Sequence, residues 1–222
     1  QNLKGCRLMG LEDIPGQQKK GEEGMKKFFV LTAVLMLLST PAIAAISGSG
    51  HDFTSGTQTF TNDICAPCHV PHNAIAGAGP LWSHSSASGA SFTLYPSGGS
   101  METTPAAPAG ISLACLSCHD GATQLDAFIG STGSTVMGSI PANLGTNLSN
   151  DHPIQITITD ALSEIATLAA ISTAGLPLDA SDVLTCATCH DVHNGNTTVG
   201  TRPALLRVTP VGSAICLACH EK

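Results

Sequence analysis

The sequence repeats one short motif four times: two cysteines separated by two residues and followed at once by a histidine. The third copy is the fullest, because a second histidine and an asparagine follow it at His193 and Asn194. Any fold of this chain must accommodate four such clusters. They are Cys65-Ala-Pro-Cys68-His69, Cys115-Leu-Ser-Cys118-His119, Cys186-Ala-Thr-Cys189-His190 and Cys216-Leu-Ala-Cys219-His220, here called motifs I to IV.

This spacing suits the attachment of haem. The two thiols can add to the two vinyl groups of a haem, and the next histidine is then held against the iron as its proximal ligand. A disulfide framework or zinc sites could use the same thiols. Neither alternative explains a histidine directly after every pair. The motifs therefore predict four covalently attached c-type haems, with proximal ligands His69, His119, His190 and His220.

Residues 25–44 have the pattern of a signal peptide. Met25-Lys-Lys is followed by an apolar run from Phe28 to Leu38 and by a small-residue cleavage site at Ala42-Ile-Ala44. The apolar run is shorter than the roughly 20 residues that span a membrane. We expect the mature chain to begin at Ala45. Export agrees with c-type haem, which is attached outside the cytoplasm, and predicts a secreted, extracellular or cell-surface protein.

Residues 1–24 show no periodic apolar pattern, and we interpret them as non-native upstream translation. With Cys6 set aside, every remaining cysteine belongs to one of the four motifs. After residue 44 the chain carries three basic and twelve acidic residues, and haem propionates would add negative charge. Nucleic acids and anionic lipid surfaces are poor partners for such a chain.

The segments between the motifs are rich in Gly, Ser, Thr, Ala and Pro, with little helical periodicity. Side chains alone would make a thin core, and four porphyrins would supply the missing apolar surface. We expect a multihaem cytochrome c fold over residues 45–222. It should be mostly irregular, with a few short α-helices and minimal β structure, organised around a stack of four haems. Local patterns predict a strand at 154–159 and a helix at 161–171, capped by Asp160.

An internal repeat divides this domain into residues of about 45–130 and 150–222. Each half has an upstream histidine, then a haem motif with a further histidine three residues on, then a second haem motif. The stretch Pro80-Leu-Trp-Ser-His84 aligns with Pro203-Ala-Leu-Leu-Arg207.

Four six-coordinate irons need four distal ligands, and five histidines remain. Arginine cannot ligate iron, so the alignment of His84 with Arg207 marks His84 as the surplus one. His72 lies too close in sequence to His69 to reach the opposite face of the same iron. It must therefore serve a neighbouring haem, as must His193, and this would bring porphyrins close together. The pairing of distal ligand to haem stays open. The predicted distal ligands are His51, His72, His152 and His193.

A wider set of residues carries a resemblance to known proteins. They are His51-Asp52, Cys65 to Asn73, Pro80-Leu81-Trp82, Ala114 to Gly121, Ser149 to Ile154, Cys186 to Asn194 and Cys216 to His220. Together they resemble the paired Cys-x-x-Cys-His multihaem cytochromes, and within them the OmcE-type extracellular tetrahaem cytochromes that polymerise into nanowire filaments. In such filaments one axial histidine comes from the next subunit. His51 lies on an N-terminal arm whose Gly and Ser content predicts a flexible segment without packing of its own. The resemblance implies that His51 fills this role.

The resemblance implies a subunit of a conductive filament that transfers electrons outside the cell, with other redox proteins or extracellular acceptors as partners. A monomeric periplasmic carrier, or the cytochrome subunit of a redox complex, is the alternative. A multihaem reductase would need an iron with an open sixth position. The sequence has enough histidines to close all four irons, so we expect an electron-transfer protein and assign no catalytic residue.

Overall fold

The computed structural model describes residues 46–56, 58–85, 87, 91–96, 101–195, 197–199 and 202–221. The predicted signal peptide, the segment with Cys6 and the expected start at Ala45 lie outside these residues. The stretch from Ala42 to Lys222 belongs to one compact unit. Within the described ranges, no helix is both long and apolar enough to cross a membrane.

Regular structure is sparse in the described chain, and the expectation of a loop-rich fold with short helices and little β structure is confirmed. The helices are α1 (Gly110–His119), α2 (Leu168–Thr173), α3 (Cys186–Cys189), the 3-10 turn Val211–Ser213 and α4 (Ala214–Leu217). The strands are β1 (Ile156–Thr157), β2 (Val183–Leu184), β3 (Thr197–Val199) and β4 (Arg202–Leu206). β1 pairs antiparallel with β2, and β3 pairs antiparallel with β4.

Two small apolar clusters form the core, and each reaches a motif cysteine. The first-half cluster of Ala78, Trp82 and Ala114 packs on Cys68. The second-half cluster packs on Cys219 and on Met101, and it consists of Ile156, Ile158, Ala166, Ile171, Leu176 and Leu184. The side-chain core therefore borders the predicted haem sites.

The helix predicted at residues 161–171 begins seven residues later, at Leu168, with Thr167 as its N-cap. The expected start was wrong because the preceding segment pairs with motif IV instead of coiling on itself. Ala166 N–H donates to the carbonyl of Cys219 at 2.8 Å, and Glu221 N–H donates to that of Glu164 at 2.9 Å. The predicted strand is also shorter, at Ile156–Thr157.

The backbone also corrects the repeat alignment by one residue. Val70 N–H donates to the carbonyl of Leu81, and Asp191 N–H, at the matching position after motif III, donates to that of Leu205. Both leucines have positive φ, 53° and 52°. Leu81 therefore matches Leu205, and His84 matches Val208 rather than Arg207. Valine cannot ligate iron either, so the argument against His84 stands in the corrected register.

Candidate functional site

Each motif forms a turn that gathers its reactive groups. In motifs I, III and IV, the backbone N–H of the histidine donates a hydrogen bond to the backbone carbonyl of the first cysteine. Motif II forms the C-terminal end of α1. Residues three and four positions apart share one face of a helical turn, so both thiols and the imidazole lie on one side. The backbone N···O distances of these hydrogen bonds are 2.8 Å from His69 to Cys65, 3.0 Å from His190 to Cys186 and 2.9 Å from His220 to Cys216.

All eight motif cysteines are free thiols in the structure, so no disulfide joins them. Cys65 in motif I and Cys216 in motif IV are exposed, while the other six are partly buried.

Three motif histidines each face a second histidine from elsewhere in the chain. His69 stacks on His193, with ring centroids 6.1 Å apart and planes inclined by 23°. His119 faces His51 at 5.9 Å and 49°. His220 meets His152 edge-on at 6.3 Å and 72°. In every pair, one member is a predicted proximal ligand and the other a predicted distal ligand.

These separations fit one metal ion between the two rings. A metal–nitrogen bond of about 2 Å and a ring radius of about 1.1 Å place two imidazoles on opposite faces of an ion with centroids about 6 Å apart. The three observed values all lie close to this distance. The spacing of the three ring pairs is therefore compatible with bis-histidine ligation of iron.

Backbone carbonyls orient several of these rings. The Nδ1 atom of His69 lies 2.9 Å from the carbonyl oxygen of Pro80, and that of His119 lies 2.6 Å from Ala142. His152 Nδ1 is similarly 3.0 Å from the carbonyl of Pro153. A ligating histidine commonly donates its second ring N–H to such an acceptor, which fixes the ring and leaves Nε2 for the metal.

His51 is packed within its own chain, which corrects the expectation of an unpacked arm. Its neighbour Asp52 accepts hydrogen bonds from the N–H groups of Gly48 at 2.9 Å and Thr54 at 3.1 Å, and Phe53 is buried. Burial, followed by the nearby His119 and His190, lowers the pKa of His51 to about 4. Its Nδ1 atom is buried and has no hydrogen-bond partner among the described residues. The ring is thus held neutral, the form that binds metals, beside His119 of the same chain.

His72 is exposed, and in the described part of the chain its ring pairs with no other histidine. The structure therefore does not bring it together with a motif histidine. Its counterpart His193 is held by Asp191, whose carboxylate accepts from the N–H groups of His193 and Asn194, both at 3.0 Å. Arg207 Nη1 donates to the same carboxylate at 3.0 Å.

His84 is almost fully buried and has neighbours at both ring nitrogens. Its Nδ1 is 2.9 Å from the carbonyl oxygen of Ser85. Its Nε2 is 3.3 Å from the carbonyl of Leu125 and 3.5 Å from Cys118 Sγ. These contacts are those of a packed, hydrogen-bonded histidine.

An apolar cavity of about 640 Å³ lies beside motif IV. Both thiols of the motif, Cys216 and Cys219, line it together with His220 and the predicted distal ligand His152. Most of the remaining wall is aliphatic, and five members of the second-half cluster contribute to it: Ile156, Ile158, Ile171, Leu176 and Leu184. Its volume falls within the range of about 300–1,000 Å³ that is usual for small-molecule and cofactor sites.

Thiols of successive motifs lie close enough to influence one another. A hydrogen bond between Cys115 of motif II and Cys186 of motif III raises the pKa of Cys115 and lowers that of Cys186. Burial, with a smaller effect of Cys68, raises the pKa of Cys118 to about 12. Burial and then Cys219 raise that of Cys189. Thiols of motifs I and II, of II and III, and of III and IV therefore lie near one another.

Sequence reasoning missed the carbonyls of Pro80, Ala142 and Pro153. A backbone acceptor leaves no signature in residue type, so only the fold can reveal it. Asp191 was also missed, although an aspartate two residues before a candidate ligand is a recognisable turn signal.

No family model matches the chain, and no curated protein matches it. Among the described residues, no group of three or more His, Cys, Asp or Glu side chains is placed to hold a metal ion.

Proposed function

We propose that this protein is a tetrahaem c-type cytochrome that transfers electrons outside the cell and polymerises into a conductive filament. The observation that carries the haem assignment is the pairing of three motif histidines with a second histidine at 5.9–6.3 Å. The eight motif thiols would hold four haems covalently, and paired histidines would ligate each iron. Bound haem supplies one-electron exchange between ferric and ferrous iron.

The three observed ring pairs support His193 as the distal ligand of motif I, His51 as that of motif II and His152 as that of motif IV. His193 follows motif III and would serve motif I. By the internal repeat, His72 follows motif I and would serve motif III. With both axial positions filled, substrates have no open iron. This supports electron transfer rather than catalysis, and low potentials compared with His/Met ligation.

The arrangement of the motifs supports a continuous stack of haems. Cys115 of motif II and Cys186 of motif III lie close enough to shift each other's pKa, and α1 packs against α3. Electrons would therefore pass between neighbouring haems over short distances.

One observation favours the alternative, a monomeric periplasmic carrier or a subunit of a redox complex. His51 faces His119 of its own chain, so this iron needs no ligand from a neighbour. A monomer could then supply all of its iron ligands from its own chain, and polymerisation would have to depend on a contact other than iron ligation.

Expression with c-type haem attachment, followed by haem quantification, tests the assignment. We expect four haems per chain, and a Cys216→Ser/Cys219→Ser variant should carry three. A haem-free wild type would refute the cytochrome assignment. Negative-stain microscopy of the secreted wild type separates the two functions, since long filaments support the first and dispersed particles the second.

A further inference from the structure

Arg207 contacts the attachment turn of motif III at two points. Its backbone N–H donates to the carbonyl of Cys189 at 2.9 Å, and its Nε donates to the carbonyl of Ala187 at 2.8 Å. Both acceptors lie in the short helix α3, which carries the two thiols of this motif. Arg207 therefore holds the turn at which motif III would attach its haem.

Asp191 builds the next turn, which carries His193. One oxygen of its carboxylate accepts from the backbone N–H groups of His193 and Asn194, both at 3.0 Å. The other oxygen accepts from Arg207 Nη1 at 3.0 Å. Since His193 is exposed, these hydrogen bonds rather than burial of the side chain hold it in place.

The ion pair between Arg207 and Asp191 thereby joins two predicted haem sites. Arg207 is fixed to motif III, whereas the turn built by Asp191 presents His193 to His69 of motif I, with ring centroids 6.1 Å apart. The two side chains are only 28% and 15% exposed. Solvent and salt screen such a partly buried pair less than one on the open surface.

The first half of the repeat makes the same attachment contacts without an ion pair. In the corrected register Ser83 corresponds to Arg207. Its backbone N–H donates to the carbonyl of Cys68 at 3.0 Å, and its Oγ donates to that of Ala66 at 2.5 Å. Val70 stands in place of the aspartate. A serine is thus enough to hold an attachment turn, and the ion pair of the second half has a further role.

We propose that Arg207 and Asp191 are positioning residues for the iron of motif I, because they fix the turn that supplies its distal ligand His193. This inference rests on the proposed haem ligation. Neither side chain needs to contact the iron, since the pair acts by reducing the fraction of time for which His193 is dissociated. An external ligand binds only in that fraction, so its apparent affinity reports the fraction directly.

Carbon monoxide titration of the reduced, haem-loaded protein tests the pair. Arg207→Ser introduces the side chain of the first half, which can hold the attachment turn but cannot reach the carboxylate. Asp191→Asn keeps an oxygen that accepts from the turn and removes the charge. Each change should raise the apparent carbon monoxide affinity of one haem in four by about three- to fivefold, the effect that a partly exposed ion pair can supply. The other three haems should stay unchanged.

Low-temperature EPR of the oxidised protein identifies the affected haem. The spectrum of a low-spin haem depends on the angle between its two imidazole planes, which is 23° for the ring pair at motif I and 49° and 72° for the other two observed pairs. Only the signal of the nearly parallel pair should change. Asp126→Asn is the matched control, because the Asp126 carboxylate also accepts two backbone N–H groups, at 2.8 and 2.9 Å, in a turn without a predicted ligand. It should behave like wild type.

The double variant Arg207→Ser/Asp191→Asn shows whether the two residues act as a unit. If they do, it should bind carbon monoxide no more tightly than either single variant. Additive effects, or an effect of Arg207→Ser without one of Asp191→Asn, would show that Arg207 acts independently of Asp191 and would overturn the proposal. If Arg207→Ser does not acquire four haems, Asp191→Asn and its control carry the test.

Two further outcomes separate this proposal from the assignment on which it rests. Four-haem variants that bind carbon monoxide like wild type, or in which all haems open equally, would overturn the positioning role and leave the cytochrome standing. A wild type without haem would refute both.

Discussion

Replacing His51 with alanine removes the ring that faces His119 at 5.9 Å. The other two observed pairs do not involve His51, so one iron in four should lose its sixth ligand. About a quarter of the haem should then become high-spin and, once reduced, bind carbon monoxide. Low-temperature EPR and carbon monoxide titration of the purified monomer measure this fraction. His51→Met is the matched variant, because methionine can ligate iron and should raise the potential of one haem.

The same experiment separates ligation within the chain from ligation between copies. If His51 serves its own chain, diluted wild-type monomer keeps four low-spin haems. If it serves a neighbour, one haem becomes high-spin as assemblies dissociate, even without a mutation. A His51→Ala monomer with four low-spin haems would refute the assignment of His51 to motif II.

Three further predictions concern stability and haem content. Leu116 is fully buried, whereas Leu217 at the equivalent position of motif IV is 59% exposed. Leu116→Ala should therefore lower the free energy of unfolding of the monomer by about 2–5 kcal/mol, and Leu217→Ala by less than about 0.5 kcal/mol; equal losses in chemical denaturation would contradict this difference in burial. His84→Ala should leave all four irons low-spin but cost about 1–3 kcal/mol, since a carbonyl beside the ring loses its N–H donor; an open iron in its EPR spectrum would make His84 a ligand. Changing Cys115 and Cys118 to alanine should remove one haem and most of the folded protein, and a stable secreted three-haem variant would show that the fold depends less on haem than proposed.

The composition of the segments between the motifs was enough to predict the loop-rich fold. The spacing within each motif was enough to predict which of its side chains lie together. Cysteine and histidine positions within five residues determine which groups share a turn, and the structure forms those turns. The pairing of His51 with His119 could not be predicted, because it joins positions far apart in the sequence. The N-terminal arm that carries His51 was also expected to be unpacked, because its Gly and Ser content gave no sign of the turn that the Asp52 carboxylate stabilises.

The predicted register of the internal repeat and the predicted start of one helix were wrong for a related reason. The sequence aligned Pro80 with Pro203, whereas backbone hydrogen bonds match Leu81 with Leu205. The helix predicted from 161 begins at Leu168 because residues before it pair with motif IV. In both cases a contact with a haem motif outweighs a local pattern. Tertiary contacts of this kind routinely override propensity.

The most direct test of the account is the intact mass of the secreted protein under denaturing conditions. Denaturation releases zinc and other non-covalent groups, disulfides change the mass only by lost hydrogens, and thioether-bound haem stays attached. The account predicts a chain beginning at Ala45 with four haems. A mass equal to the polypeptide alone would contradict it.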